Sequence, residues 1–366
     1  MWNGQYVIDT VLHAFNLDES NFAVDGHARP IAELTYNLTQ TGLPSGYPLS
    51  RAALLRDWPV HDVAAMTFGE SETDFAVYHP TPIFAFSDGM SSADKAVEIL
   101  ERYPDRMLGA YVALDPLTGK EALAELDRRC AQYRPLGVKL YPTSWRGDTV
   151  ATWRMDDPQI AFPIYEAAAE RGIRTIAVHK AVPLGPAPTG PSFHPGDVEG
   201  AAAAFPELNF EIVHGGAAFT EETAWLLGRY ENIYVNLETL TVLMLKRPDM
   251  FARLVIGMCH VGGAPVLDRM VWSSGAMQVH PRLCLEVFED VKFPDSLRAE
   301  YGLFSQIPEV TQGQKNNILG SNYARMHGID IEARLAAIAG DEFSRAAGTP
   351  LPAPFSTTSV AGQVIS

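Results

Sequence analysis

Short apolar runs recur along the chain, each followed by a loop and then by a stretch with apolar residues every three or four positions. The runs are “YVIDTVLHAF” (6–15), “VHDVAAMTF” (60–68), “MLGAYVAL” (107–114), “LGVKLYP” (136–142), “RTIAVHKA” (174–181), “LNFEIVHGG” (208–216), “NIYVNLET” (232–239) and “RMVWSS” (269–274). They are apolar on both faces, as parallel strands covered by helices must be. Between them lie helical patterns such as “ADKAVEILERYP”, “KEALAELDRRCAQYR”, “IAFPIYEAAAERG” and “TEETAWLLGRYE”. Several end in Gly or Tyr-Pro, which stops a helix before the next strand. Eight such alternations predict an α/β chain closed into a (β/α)8 TIM barrel. A doubly wound open sheet is the alternative, but no Gly-rich phosphate turn follows any strand.

Three stretches exceed a minimal barrel. Residues 16–58 form an insertion after the first strand, and the Pro/Gly-rich loop over 181–198 follows the fifth. Both leave the carboxyl end of a strand, the face on which barrel sites are built, so both are expected to act as lids. The expected division is a barrel domain over 1–340 and an extended C-terminal tail over 341–366, either disordered or laid on a partner subunit.

Composition narrows the partners. A length of 366 residues suits one barrel of roughly 250 residues plus insertions. With 44 acidic against 28 basic residues the formal charge is −16, which disfavours nucleic acid and anionic membranes. Cys130, Cys259 and Cys284 have no Cys-x-x-Cys spacing, so neither a disulfide framework nor a thiolate zinc site is expected. No basic segment leads into an apolar one at the start, and no apolar run reaches about 18 residues, so the expected location is cytoplasmic.

Position separates the ten histidines. His13, His179 and His214 each end an apolar run, on the first, fifth and sixth strands. A lone strand-end histidine is ordinarily a core residue. Three on one barrel point into a shared pocket and form a candidate set of ligands for one divalent ion, zinc first, iron or manganese as alternatives. Lys139 ends the fourth strand and could bind a substrate carboxylate, or a metal if carbamylated; a buried lysine paired with a barrel acid is the plainer role. Glu238 ends the seventh and could serve as ligand or base. Asp9 suits a structural hydrogen-bonding role, His194 lies in the loop over 181–198, and the remaining histidines follow no strand-end pattern.

The order “IDTVLH”, “DDPQIAFPIYEAAAERGIRTIAVH”, “FPELNFEIVHGGAAF”, “YENIYVNLE”, “LDRMVWSS” and “NNILGSNYARMHGI” resembles the amidohydrolase-related TIM barrels, the group of aminocarboxymuconate-semialdehyde and γ-resorcylate decarboxylases. The resemblance runs from about residue 6 to 335 and is strongest over 156–240. It implies a first-strand metal pair at positions 11 and 13, a metal histidine at His179 and, at His214, a catalytic acid/base or the ligand of a second metal. It also implies an eighth-strand aspartate, which falls on Gly275. Two of these roles are missing, because the first position is Val11 and the last is glycine. Without that aspartate a hydrolase loses its water-activating base, and Ser273 or Ser274 is too weak a base to replace it.

Three functions follow as expectations. The chain is similar to one subunit of an isobutyrate monooxygenase-type complex, in which it would pair with a related amidohydrolase-like chain and act on a small carboxylic acid with O2. The second is a stand-alone metal-dependent hydrolase or non-oxidative decarboxylase, with Glu238 or His214 as acid/base. The third is a non-catalytic, zinc-binding partner subunit.

Overall fold

Parallel strands need cover on both faces, and the eight strands of the main sheet are buried along nearly their whole length. They are β1 (Ile8–Leu12), β2 (Phe75–Tyr78), β3 (Met107–Leu114), β4 (Gly137–Leu140), β5 (Thr175–His179), β6 (Asn209–Val213), β7 (Ile233–Asn236) and β8 (Met270–Val271). Each pairs in parallel with the next in sequence order. β1 and β8 meet through single backbone bonds, Thr10 N–H to the Trp272 carbonyl at 3.1 Å and His13 N–H to that of Ala276 at 2.7 Å. The result is the expected TIM barrel, nearly closed. This computed structural model describes residues 1–366 except 41, 184, 188, 189, 347 and 366. Three of those fall in the 181–198 loop, one in the insertion and two in the tail.

The four quoted helical patterns form helices Asp94–Arg102, Lys120–Tyr133, Phe162–Glu170 and Thr220–Arg229. Outward strand residues such as Val112, Val138, Ile176 and Ile212 pack beneath them in one large core. Inward residues Ile8, Phe75, Val77, Tyr111 and Val271 meet Tyr323, which closes the barrel floor. Tyr111 fits inside because Gly137 has no side chain; a Cβ there would come 2.6 Å from the tyrosine ring.

One expected strand is a helix. Residues 60–68 form a helix at Val60–Ala64 that runs on as a wider turn to Gly69, and the second strand is the shorter “FAVY” of Phe75–Tyr78. Val60, Val63, Ala64 and Thr67 are buried at intervals of three and four, but so are Asp62, Met66 and Phe68 between and after them, which hides the helical period. The connection from β1 to β2 therefore runs from 13 to 74, past the expected end at 58. Its main element is the helix Asp25–Gln40, called α1 here, which buries Ala28, Ile31 and Ala32 and carries Asp25 in its first turn, where the helix dipole favours an anion.

The tail lies on its own barrel. Phe355 and Val360 are buried, and Glu70 accepts from the backbone of Phe355 and Thr357, both at 2.6 Å, and from His280 Nε2 at 3.0 Å. It contacts the insertion too, where Ser50 N–H donates to the Gln363 carbonyl at 2.9 Å. The described tail residues thus neither hang free nor reach outward.

Candidate functional site

Strand ends at the carboxyl face converge on a cavity of about 110 Å³ lined by His13, Lys139, His179, His214 and Glu238, all buried. The five residues singled out by their place at strand ends are thus brought together. His194 is not among them; it caps a turn by accepting from Gly196 N–H and lies 3.6 Å from Glu222 at the surface. Asp9 lies deeper, accepting from Ser273 Oγ at 3.1 Å and from Ser274 N–H at 3.2 Å, the structural role expected of it. Burial raises its carboxyl to about 6 in spite of those bonds. A larger cleft of about 310 Å³ opens beside Asp115, Glu121 and Arg129, but none of the five lines it.

Acceptor groups at both ends of the histidine array fix its protons. The Val182 carbonyl lies 2.5 Å from His179 Nε2, and a carbonyl only accepts, so His179 carries its proton there. Burial holds the His179 imidazolium far below its ordinary range, so the ring is neutral and Nδ1 is an acceptor. His214 therefore donates Nε2–H to His179 Nδ1 at 2.7 Å. Its other nitrogen, Nδ1, faces Glu238 Oε2 at 2.6 Å. Burial alone would raise the Glu238 carboxyl, but His214 outweighs it, and with help from His13 and Lys139 the group falls to about 2. An ionised Glu238 accepts from His214 Nδ1–H, so His214 links the carboxylate to His179 in one hydrogen-bonded chain.

The opposite wall is cationic and neutral by turns. His13 donates Nδ1–H to the His79 carbonyl at 2.7 Å and stacks on Phe15, which leaves Nε2 on the other edge of the ring. Burial, opposed by the Glu238 charge, lowers its pKa to about 4, so it is neutral. Lys139 is fully buried with its Nζ 5.5 Å from the centre of the Tyr141 ring. Burial brings it down to about 8 against the pull of Glu238 and Glu211, which leaves an ammonium at neutral pH.

Two turns hold this arrangement under strain. His214 and Thr239 have φ of +72° and +62°, values that cost a residue with a Cβ about 1–2 kcal/mol each. Thr239 uses its hydroxyl to hold the Glu238 carboxylate at 2.9 and 3.0 Å.

Three imidazoles and a carboxylate are suitable donor types for a divalent ion. In this arrangement His179 lies between the Val182 carbonyl and His214, and His214 between His179 and Glu238, so these nitrogens face one another. Among the described residues no three His, Cys, Asp or Glu side chains are grouped to hold an ion. The expected His13–His179–His214 ligand set shares one pocket, with His179 Nδ1 and His214 Nε2 2.7 Å apart. No step below passes through a metal.

Sequence reasoning missed the carbonyls of His79 and Val182, which set the two tautomers, and Tyr141, whose ring stacks on His179 at 4.5 Å. Backbone carbonyls in loops leave no mark on a residue pattern. It also missed the α1 wall, where Ile31, Leu34 and Leu38 follow a spacing of three and four that could have been found.

With this geometry in hand, comparison with known proteins becomes informative. The family model described as amidohydrolase matches residues 24–329. The chain belongs to the amidohydrolase family. No curated protein matches it in sequence. Among solved structures it is similar to an uncharacterised TIM-barrel protein from Bordetella bronchiseptica, at 17% identity and TM-score 0.61, over 88% of this chain and 99% of that one. It is also similar to 2,6-dihydroxybenzoate decarboxylase from Rhizobium, at 14% identity and TM-score 0.53, over 89% and 99%. A dihydroxybenzoic acid decarboxylase from Polaromonas, solved with bound manganese and the inhibitor 2-nitroresorcinol, matches at 14% identity and TM-score 0.55, over 91% and 99%. At these identities the likeness establishes the shared barrel. Among the described residues no helix is long and apolar enough to cross a membrane.

Proposed function

We propose that this amidohydrolase-family chain binds a small carboxylate at the barrel mouth and delivers a proton to the carbon that bears it, a non-oxidative decarboxylation. The observation that carries this reading is His214 held between Glu238 at 2.6 Å and His179 at 2.7 Å, in the same small cavity as Lys139. Lys139 takes the substrate carboxylate as its counter-ion, and His13 Nε2 accepts from a neighbouring hydroxyl of the substrate. The acid is His214 Nε2–H, held on His179 Nδ1 until an electron-rich carbon replaces that acceptor. The proton bonds to the carbon, the bond to the carboxylate breaks, its electron pair returns to the carbon framework, and CO2 leaves. One proton enters for each carboxylate lost, and Glu238 stays ionised beside His214.

The similar decarboxylases from Rhizobium and Polaromonas support this reaction class. Hydrolysis has less support, since Gly275 supplies no base and Glu238 is occupied by His214.

The test is CO2 release and deuterium incorporation from D2O by the isolated chain on 2-hydroxybenzoates, with chelator and with added Mn2+ or Zn2+. Turnover that falls at least about a hundredfold in His214→Gln supports the reading. Turnover only with O2, a reductant and a co-purifying related chain would support the oxygenase-subunit expectation instead. Stoichiometric zinc with no carboxylate binding would favour a non-catalytic partner.

A further inference from the structure

The cavity has polar chemistry at its base and almost none on its walls. α1 (Asp25–Gln40) runs along the mouth and presents Ile31, Leu34, Thr35 and Leu38, positions i, i+3, i+4 and i+7 of one helical face. Thr35 does not break the apolar character of this stripe. Its hydroxyl donates to the Ile31 carbonyl one turn back at 2.9 Å, and that of Thr39 donates to the Thr35 carbonyl at 2.7 Å, so both turn their polar atom to their own helix. Ile83 and Val242 face the stripe across the opening. Leu34 and Leu38 are 44% and 50% exposed, unusual for leucines on a cavity wall, so the apolar lining continues to solvent. All five ionisable side chains lie at the other end.

From this division we infer that the ligand is a monocarboxylate whose far end is hydrocarbon, seated head-down on Lys139 with an alkyl or alkyl-aryl body against Ile31, Leu34 and Leu38. The inference rests on the carboxylate reading of the base and adds which carboxylates are taken. Along the Ile31, Leu34 and Leu38 stripe a hydroxyl or second carboxylate would lose water to apolar side chains, a direct penalty, while Thr81 and Gln278 are the polar groups elsewhere in the lining. Each methylene added along the stripe leaves water at a gain of about fourfold in affinity. The gain stops where the chain passes Leu38 into solvent.

Calorimetric titration tests this with two probe series on the wild-type protein, straight-chain alkanoates from butyrate to decanoate and 2-hydroxybenzoates carrying hydrogen to butyl opposite the carboxylate. A Kd that tightens by about threefold to fivefold per carbon and then levels off supports the inference. The series that starts tighter tells whether the body is alkyl or aryl. Leu38→Gln, at an exposed helical site that tolerates glutamine, is expected to remove the gain for the longest members only. A flat series, or a far-end carboxylate bound as tightly as a methyl, would overturn it. If no carboxylate of either series binds, the reading of the base fails instead, which is a separate result.

Discussion

A Cβ on Gly275 would stand 2.8 Å from Oε1 of Glu238, so the glycine just beyond β8 leaves the room that the carboxylate at the end of β7 occupies. The site's one ionised carboxylate and the empty side-chain position beside it are two halves of a single arrangement. An aspartate at 275, the residue expected from family resemblance, would require the Glu238 carboxylate to shift.

Gly275→Asp is therefore expected to destabilise the fold. Gly275 has φ of +69°, where any L side chain is strained by about 1–2 kcal/mol, and overpacking against Glu238 adds about 1–3 kcal/mol. Adding Glu238→Gly should return most of the overpacking part. Urea unfolding measures both, and a Gly275→Asp protein as stable as wild type would mean that Glu238 moves aside at no cost.

Lys139 gives a pH dependence with a defined sign. Burial lowers its pKa from 10.5 to about 8, so the folded protein holds a penalised ammonium below pH 8 and none of that penalty above 10.5. Stability should rise with pH across that window. Carboxylate binding should do the reverse and weaken about tenfold per pH unit above 8 as the ammonium is lost. Lys139→Met should flatten both profiles. Binding that stays constant from pH 7 to 9.5 would remove Lys139 as the anchor.

Glu238 behaves oppositely in acid. Its pKa falls from 4.5 to about 2, worth about 3 kcal/mol of stability that is fully present above pH 4.5 and lost as pH falls toward 2. Glu238→Gln should lose this acid-sensitive share, so its unfolding free energy should change less between pH 4.5 and 2.5 than that of wild type. Identical acid unfolding curves would contradict the ion pair.

Much of this was legible in the chain, for physical reasons that differ by residue. His13, His179 and His214 end buried runs, and a barrel sends strand ends to one face, so their meeting followed from topology. Their chemistry did not, because it depends on which nitrogen faces a carbonyl, and Val182 lies in a loop whose path no periodicity encodes. Residues 60–68 failed for another reason: a run with apolar residues at 60, 63–66 and 68 fits a buried strand and a buried helix equally, and nearly every position of it is buried, so neither pattern nor burial marks the helix. The packing of the tail left no mark in its own sequence, because its anchors are two carboxylates from the connection between β1 and β2, Glu70 and Asp62, far away in sequence.

The loop after β5 acts as a brace as much as a cover. Lys180 and Asp197, both fully buried, pair at 2.7 Å across its two ends, and Lys180 also donates to the Ser192 carbonyl at 2.6 Å. Asp197 accepts from Met155 N–H at 3.0 Å, and Ala181 N–H donates to the Phe193 carbonyl at 2.9 Å. This clasp holds Val182, whose carbonyl fixes the His179 proton on Nε2. Lys180→Ala leaves a buried carboxylate unpaired and should cost about 3–5 kcal/mol. The pair Lys180→Met with Asp197→Leu should be close to neutral in stability, since apolar replacements of similar size remove both charges together. It still lacks the tie to Ser192, so the His179 ring should show a mixture of tautomers by nitrogen NMR and kcat should fall with KM little changed. A merely structural clasp would leave the tautomer of that stable double variant as it is in wild type.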